Sequence, residues 1–165
     1  MKTIFFLCLF LMSAFLGYSQ NSTIVIDSTI KDMVFVGKQT YFLEDTSGKL
    51  TLQDISKPEQ KFQKLDKDIF NRPATNAVFW FRFTIKNQSK QRLWIKTGYQ
   101  TAIWHADFYA PDHQGKYPPP IQSGSLRPQK NKAFQTSSYY YFPLADKENT
   151  NSQTVSSQNL VNLSP

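Results

Sequence analysis

The sequence predicts an all-β domain of at least two packed layers, on three observations. The first is the stretch Val78 to Asn87. Phe79, Phe81, Phe83 and Ile85 are large and apolar, while Arg82, Thr84 and Lys86 between them are polar. That is the period-2 alternation of a half-buried strand. The second is composition: aromatic residues make up 15% of the chain, and these, with frequent β-branched residues, favour strands. The third is that similar short runs recur along the chain between turn-forming clusters. A row of three phenylalanines and an isoleucine requires a second layer to cover it.

The 165 residues suit one domain with a core of its own once a leader is set aside. Residues 1–19 read as a signal peptide. Lys2 supplies a positive start, Ile4 to Leu16 an apolar run, and Gly17 and Ser19 the small residues before cleavage at Gln20. The run is too short to span a bilayer comfortably. Cys8, the single cysteine, lies inside it. Its removal leaves no thiol, which excludes disulfides, thiol catalysis and cysteine metal sites. The formal charge of +7 raises nucleic acid as a partner. The lysines and arginines are spread singly, however, without a basic block or basic helix. The expectation is a solvated basic surface and no nucleic-acid partner; a surface that meets acidic glycans or lipid headgroups fits equally.

Taken in order, Thr23 to Asp27 is a β-branched run and a first strand. Met33 to Gly37 and Thr40 to Glu44 are further extended pieces, and Asp45-Thr46-Ser47-Gly48 is a turn. Thr51 to Ile55 predicts one turn of helix, capped by Thr51 with Asp54 three residues on and ended by Pro58. After the central strand, Asn87 to Lys90 predicts a hairpin loop leading into a strand at Arg92 to Gly98. Register then places Trp94 and Lys96 on the face of Trp80 and Arg82. Ala102 to Tyr109 is a third strong strand, with Trp104, Ala106 and Phe108 inward and Ile103, His105, Asp107 and Tyr109 on the other side. Pro118-Pro119-Pro120 forces an extended loop. Ser138 to Leu144 is the last clear strand, with Pro143 marking an edge. Residues 20–144 form the domain. Residues 145–165, rich in Asn, Ser, Gln and Thr, read as a polar tail or as the truncated end of the domain.

The sequence holds no glycine-rich phosphate loop, no paired-histidine metal motif and no nucleophile elbow. His105 and His113 are the only histidines. His105 and Asp107 share a strand face, which suits a surface hydrogen bond better than a metal site. Asp107 is then expected to accept from Arg82 or Lys96. No cofactor, metal or catalytic residue is expected, and the chain is not read as an enzyme. A hydrolase using Asp107 and His105 is the remote alternative. The candidate ligand-binding residues are Arg82, Trp94, Lys96, His105, Asp107 and Tyr109. Flat aromatic rings stack on sugar faces, and charged neighbours hydrogen-bond hydroxyls or anionic groups. Phe79, Trp80, Phe81, Phe83, Ile85 and Phe108 are assigned to structure, as is Trp104. Trp94 stands between packing and binding.

The run Phe79 to Asn87, then Trp94-Ile95, then Ala106 to Asp112 with Gly115, then Ser123-Gly124, resembles the type 2 extracellular domain of bacterial seven-transmembrane receptors with diverse intracellular signalling modules. Tyr41 to Thr51 and Phe62 resemble that family's opening segment. The similarity covers roughly Thr23 to Leu144. It implies an antiparallel jelly-roll β-sandwich similar to carbohydrate-binding modules, with at most one or two short helices. It also implies a position on the periplasmic or extracytoplasmic face of the bacterial membrane. In the family, seven membrane helices and an intracellular kinase or cyclase output domain follow; neither is present in this sequence. The family keeps an arginine after the Ser123-Gly124 turn, where Arg127, Lys130 and Lys132 are the cations available. The family would also supply another strand after Leu144, and its aromatic-aliphatic alternation is missing at Thr154 to Ser157. The function expected is an envelope-exposed sensory input domain binding a small ligand, with carbohydrates and their derivatives as the class implied. The alternative is a secreted carbohydrate-binding or adhesion module without a signalling role.

Overall fold

Nine strands, one short α-helix and two 3-10 turns make up the described residues, which are 22–30, 32–73, 75–89, 91–99, 102–112, 114–144 and 156–164 of this computed structural model. The strands are β1 (Thr23–Ile26), β2 (Tyr41–Asp45), β3 (Gln63–Lys64), β4 (Val78–Asn87), β5 (Trp94–Tyr99), β6 (His105–Tyr109), β7 (Ile121–Ser123), β8 (Tyr139–Pro143) and β9 (Ser156–Ser164). The helix, α1, spans Leu52–Ile55. The expected signal peptide, Cys8 and His113 lie outside the described residues.

The fold is an all-β sandwich built mostly of antiparallel pairs. Its larger sheet runs β3-β2-β4-β9-β6-β7, and its smaller sheet is β5-β8. Strand β4 is the spine of the larger sheet. One edge of β4 takes β2 along Val78–Arg82 and then β1, in parallel, along Thr84–Asn87. The other edge takes β9 from Phe79 to Lys86. Alternation decides the registers. Phe42 opposes Phe81 and Ile24 opposes Ile85, all buried on the inner face; Leu43 opposes Trp80 on the outer face.

The inner phenylalanine face meets the smaller sheet. Phe79, Phe81, Phe83, Ile85, Ala106 and Phe108 share one core with Tyr140, Phe142 and Leu144. The rings of Phe108 and Phe142 stack at 5.3 Å between centroids. This cross-sheet packing is the main stabilising contact of the fold, because each buried ring removes a large apolar area from water.

Three elements differ from the sequence reading. Strand β5 makes no hairpin with β4; it pairs with β8. Both edges of β4 are already occupied, so β5 has no free ladder to join there. Ser156–Ser164, in the stretch read as a polar tail, is not peripheral: β9 lies between β4 and β6. Its backbone groups are paired with β4 and, from Leu160 onward, with β6 as well, a pairing that does not depend on apolar side chains. Trp104 is not a core residue. It is 49% exposed, at a bend just before β6 begins, while Ile103 is turned inward and buried. The alternation that holds from His105 onward therefore does not extend back to Trp104.

Helix α1 starts as its sequence predicts. The Asp54 backbone N–H donates to Thr51 Oγ1 at 3.3 Å, and the Thr51 N–H donates to Asp54 Oδ2 at 3.0 Å. This reciprocal cap satisfies donors that a helix start leaves open. Just upstream, the buried Asp45 ties the turn that delivers the helix. Its carboxylate accepts from the N–H groups of Ser47 (3.0 Å), Gly48 (2.9 Å) and Leu50 (2.9 Å) and from the Ser47 hydroxyl. Burial pushes the Asp45 carboxyl upward, but the bonds from Ser47, Leu50 and Gly48 outweigh it and hold its pKa below the usual value. Stability from this group is complete above about pH 4 and is lost as pH falls through the lowered folded value. Asp45→Ala is expected to cost about 2 kcal/mol at pH 7, because it strands buried backbone donors. Urea unfolding at pH 7 and below pH 3 measures this, and the deficit should shrink at the lower pH.

Candidate functional site

The outer face of the larger sheet carries a second, smaller apolar cluster. Trp80, 1% exposed, packs there with Leu43 and Ile55, flanked by Leu50, Leu52, Phe62, Tyr109 and Tyr117. Helix α1 covers Trp80 from one side. Tyr109 of β6 stacks on it from the other, at 5.8 Å between centroids and 30° between planes. These two rings come from strands separated by β9, with Asn162 of β9 at the register position between Trp80 and Asp107.

A groove of about 490 Å³ opens over this cluster. Its walls are Leu50 to Gln53, the rings of Trp80, Tyr109 and Tyr117, and Pro118-Pro119-Pro120. The triple proline gives one wall a stiff, extended backbone. Burial raises the pKa of both tyrosines. For Tyr109 the nearby Asp107 adds to the rise while Arg127 opposes it; for Tyr117, Arg82 opposes it. Both hydroxyls are therefore neutral donors at physiological pH.

Beside the groove, the Arg82 guanidinium sits 4.0 Å from the centroid of the Phe62 ring. Desolvation lowers its pKa, with Tyr41 and Tyr117 acting the other way; as an arginine it stays charged. Two buried donors on this face, Trp80 Nε1 and Arg82 Nε, have no hydrogen-bond acceptor among the described residues. Buried donors are nearly always paired, so two unpartnered ones on one face are unusual.

At the β6 side of the face, Arg127 pairs with Asp107 at 3.1 Å, with side chains only 22% and 18% exposed. Burial raises the Asp107 pKa; Arg127, then His105, then a hydrogen bond involving Gln122 pull it down without cancelling the rise. Arg127 reaches Asp107 because the chain turns sharply at Gly124, whose φ is +132°. A Cβ there would lie 2.1 Å from the Trp104 carbonyl oxygen, so only glycine fits. His105 Nδ1 lies 3.3 Å from Ser164 Oγ of β9.

The structure thus brings four of the six sequence-predicted binding residues, Arg82, His105, Asp107 and Tyr109, to the outer face of the larger sheet. It does not bring Trp94 and Lys96 there. They lie on the outer face of the smaller sheet, on the far side of the core, because β5 pairs with β8. Asp107 is partnered by Arg127, rather than by Arg82 or Lys96. Of the three cations after the Ser123-Gly124 turn, Arg127 is the one that reaches β6. Lys132 points its ammonium to the carbonyls of its own loop at Gln135 and Ser137. Tyr117 was missed by the sequence reading; its only signal is its place immediately before the proline run.

The family comparison gives the class of the domain. The model of the 7TMR-DISM extracellular 2 domain matches residues 37–164, and the chain belongs to that family. No curated protein matches the chain. The family is that of an extracellular, sensor-type domain. No helix among the described residues is long and apolar enough to cross a membrane.

Proposed function

We propose that this chain is the periplasmic ligand-sensing input domain of a bacterial signal-transduction receptor. The ligand is a small molecule, a carbohydrate or its derivative, held in the groove over Trp80 and Tyr109. The observation that carries this reading is the set of aromatic walls, Trp80, Tyr109 and Tyr117, with the charged Arg82 close to Tyr117. Sugar rings present flat C–H faces to aromatics and oxygens to a charged donor. Signalling then requires that the ligand bind one arrangement of the domain better than another and so bias the membrane helices that follow in the receptor. The arrangement favours binding over catalysis: Asp107 is committed to Arg127, and His105 faces Ser164. A secreted carbohydrate-binding or adhesion module would use the same groove without passing on a bias.

The test is calorimetric titration with a panel of neutral and acidic sugars. Tyr117→Ala should weaken a binding sugar by about ten-fold, the upper end for loss of one aromatic contact, and lower the unfolding midpoint less than Trp80→Ala does. Trp94→Ala, on the other sheet, should bind as the parent does. Binding that survives Tyr117→Ala and Arg82→Gln together would place the ligand elsewhere.

A further inference from the structure

Arg82 is a cation whose own face supplies no counter-ion. It is half-buried, and no carboxylate among the described residues pairs with it. Its neighbours across the ladders are Tyr41 of β2 and Leu160 of β9, and the groups that act on its charge are Tyr41 and Tyr117. The acids that β2, α1 and β6 carry to this side are committed elsewhere. Asp45 accepts from its own turn, Asp54 pairs with Lys57 at 3.0 Å, and Asp107 pairs with Arg127 at 3.1 Å. Asp146 and Glu148, outside the described residues, follow β8 of the other sheet. A cation taken partly out of water is costly to the fold unless an anion or a set of acceptors completes it.

The contact that Arg82 does make does not consume its donors. The guanidinium lies 4.0 Å from the centre of the Phe62 ring. A guanidinium donates in its own plane, so contact with an aromatic ring leaves its N–H groups unused. The groove lies beside it. Arg82 and Tyr109 stand in one row across the sheet, each opposite Leu160 of β9. Two strand spacings separate them, about 10 Å. Tyr117, a wall of the groove, is close enough to act on the Arg82 charge. One sugar ring laid on Tyr109 and Tyr117 bridges that separation when it carries an anionic group on its rim. A planar carboxylate matches the planar fork of an arginine in a bidentate pair.

We propose that the ligand of the groove is a sugar acid and that Arg82 receives its carboxylate. The inference rests on the reading of the groove as the ligand site and narrows it to one chemical class. The ring lies against Tyr109 and Tyr117. The carboxylate meets the terminal nitrogens of Arg82, beyond the buried Nε, and supplies the missing counter-ion. A neutral sugar satisfies the aromatic walls but leaves the cation unpaired, so discrimination between the two comes from charge.

The test is calorimetric titration of the full chain with the methyl glycosides of glucuronate, galacturonate and a sialic acid. Each is compared with its neutral amide. The expected result is an acid that binds more tightly than its amide by about ten-fold, the low end for hydrogen bonds to a charged group. Arg82→Gln should abolish that preference. Arg82→Lys, which keeps the charge and loses the fork, should retain only part of it. Tyr117→Ala should weaken acid and amide alike. Equal binding of acid and amide, with both lost in Tyr117→Ala, overturns the inference and leaves the groove reading standing. An acid preference that disappears in Arg82→Gln but ignores Tyr117→Ala overturns the groove reading and the inference with it. Absence of binding by every acid overturns the assignment to a sugar acid, as does tighter binding of glucose 6-phosphate than of the glucuronide.

Discussion

Trp80→Ala should lower unfolding free energy by about 3–5 kcal/mol, the cost of truncating a buried tryptophan. The side chain is nearly inaccessible and is enclosed by Leu43, Ile55 and the stacked Tyr109. Nothing nearby can collapse into the space without moving α1. Guanidinium unfolding measures the loss. Trp80→Phe keeps most of the packing while deleting the buried, unpartnered Nε1, so it should cost less stability. A loss below about 1 kcal/mol for Trp80→Ala, the size of an ordinary substitution, would mean that the outer cluster is not a packed unit.

Arg127→Ala should cost about 2–3 kcal/mol at pH 7. Removing one partner of a largely buried ion pair strands the other, and the partial exposure of this pair keeps the cost below the fully buried case. The effect has a pH signature. The Asp107 pKa is already raised by burial, so the folded state holds that proton more tightly than the unfolded chain does. Stability therefore falls as pH rises from the unfolded aspartate value, near pH 4, through the raised folded one. Without Arg127 the folded value moves higher still, and the window widens upward. The deficit of Arg127→Ala should accordingly shrink on acidification, and Asp107→Asn in the same chain should restore much of it. Thermal unfolding across pH 4 to 8 reads both effects. A deficit that is constant with pH would show that Arg127 acts through packing alone.

Some of this architecture is legible in the sequence because the signals are local. The alternation from Phe79 to Ile85 is a property of ten consecutive residues, and β4 forms where it predicts. The Thr51–Asp54 cap is likewise closed within one turn. Pairing is another matter. Whether β5 joins β4 or β8 depends on which strands already fill the edges of β4, and those come from distant parts of the chain. The hairpin inference at Asn87–Lys90 therefore fails, and Trp94 with Lys96 changes sheet. Strand β9 is hidden for a related reason. Its residues from Ser156 to Asn159 are polar, and what makes them a strand is the ladder offered by β4, with β6 joining from Leu160 onward. The candidate site is legible in part. Arg82, His105, Asp107 and Tyr109 share a parity within their strands. The cover supplied by α1, Tyr117 and the prolines is a tertiary event with no periodic trace.

The position of β9 has a mechanical consequence. It is bonded to β4 from Ser156 to Leu163 and, over Leu160–Ser164, to β6 on the other side, antiparallel to both. Antiparallel hydrogen bonds lie across the strand direction. A pull along β9 therefore loads the rungs of both ladders together, in shear, instead of unzipping them singly. The two strands that take this load are those that carry Trp80 and Tyr109. Tension on whatever chain follows Ser164 is thus shared directly by the two walls of the groove, and a change in the spacing of those walls is felt as a change in the seating of β9.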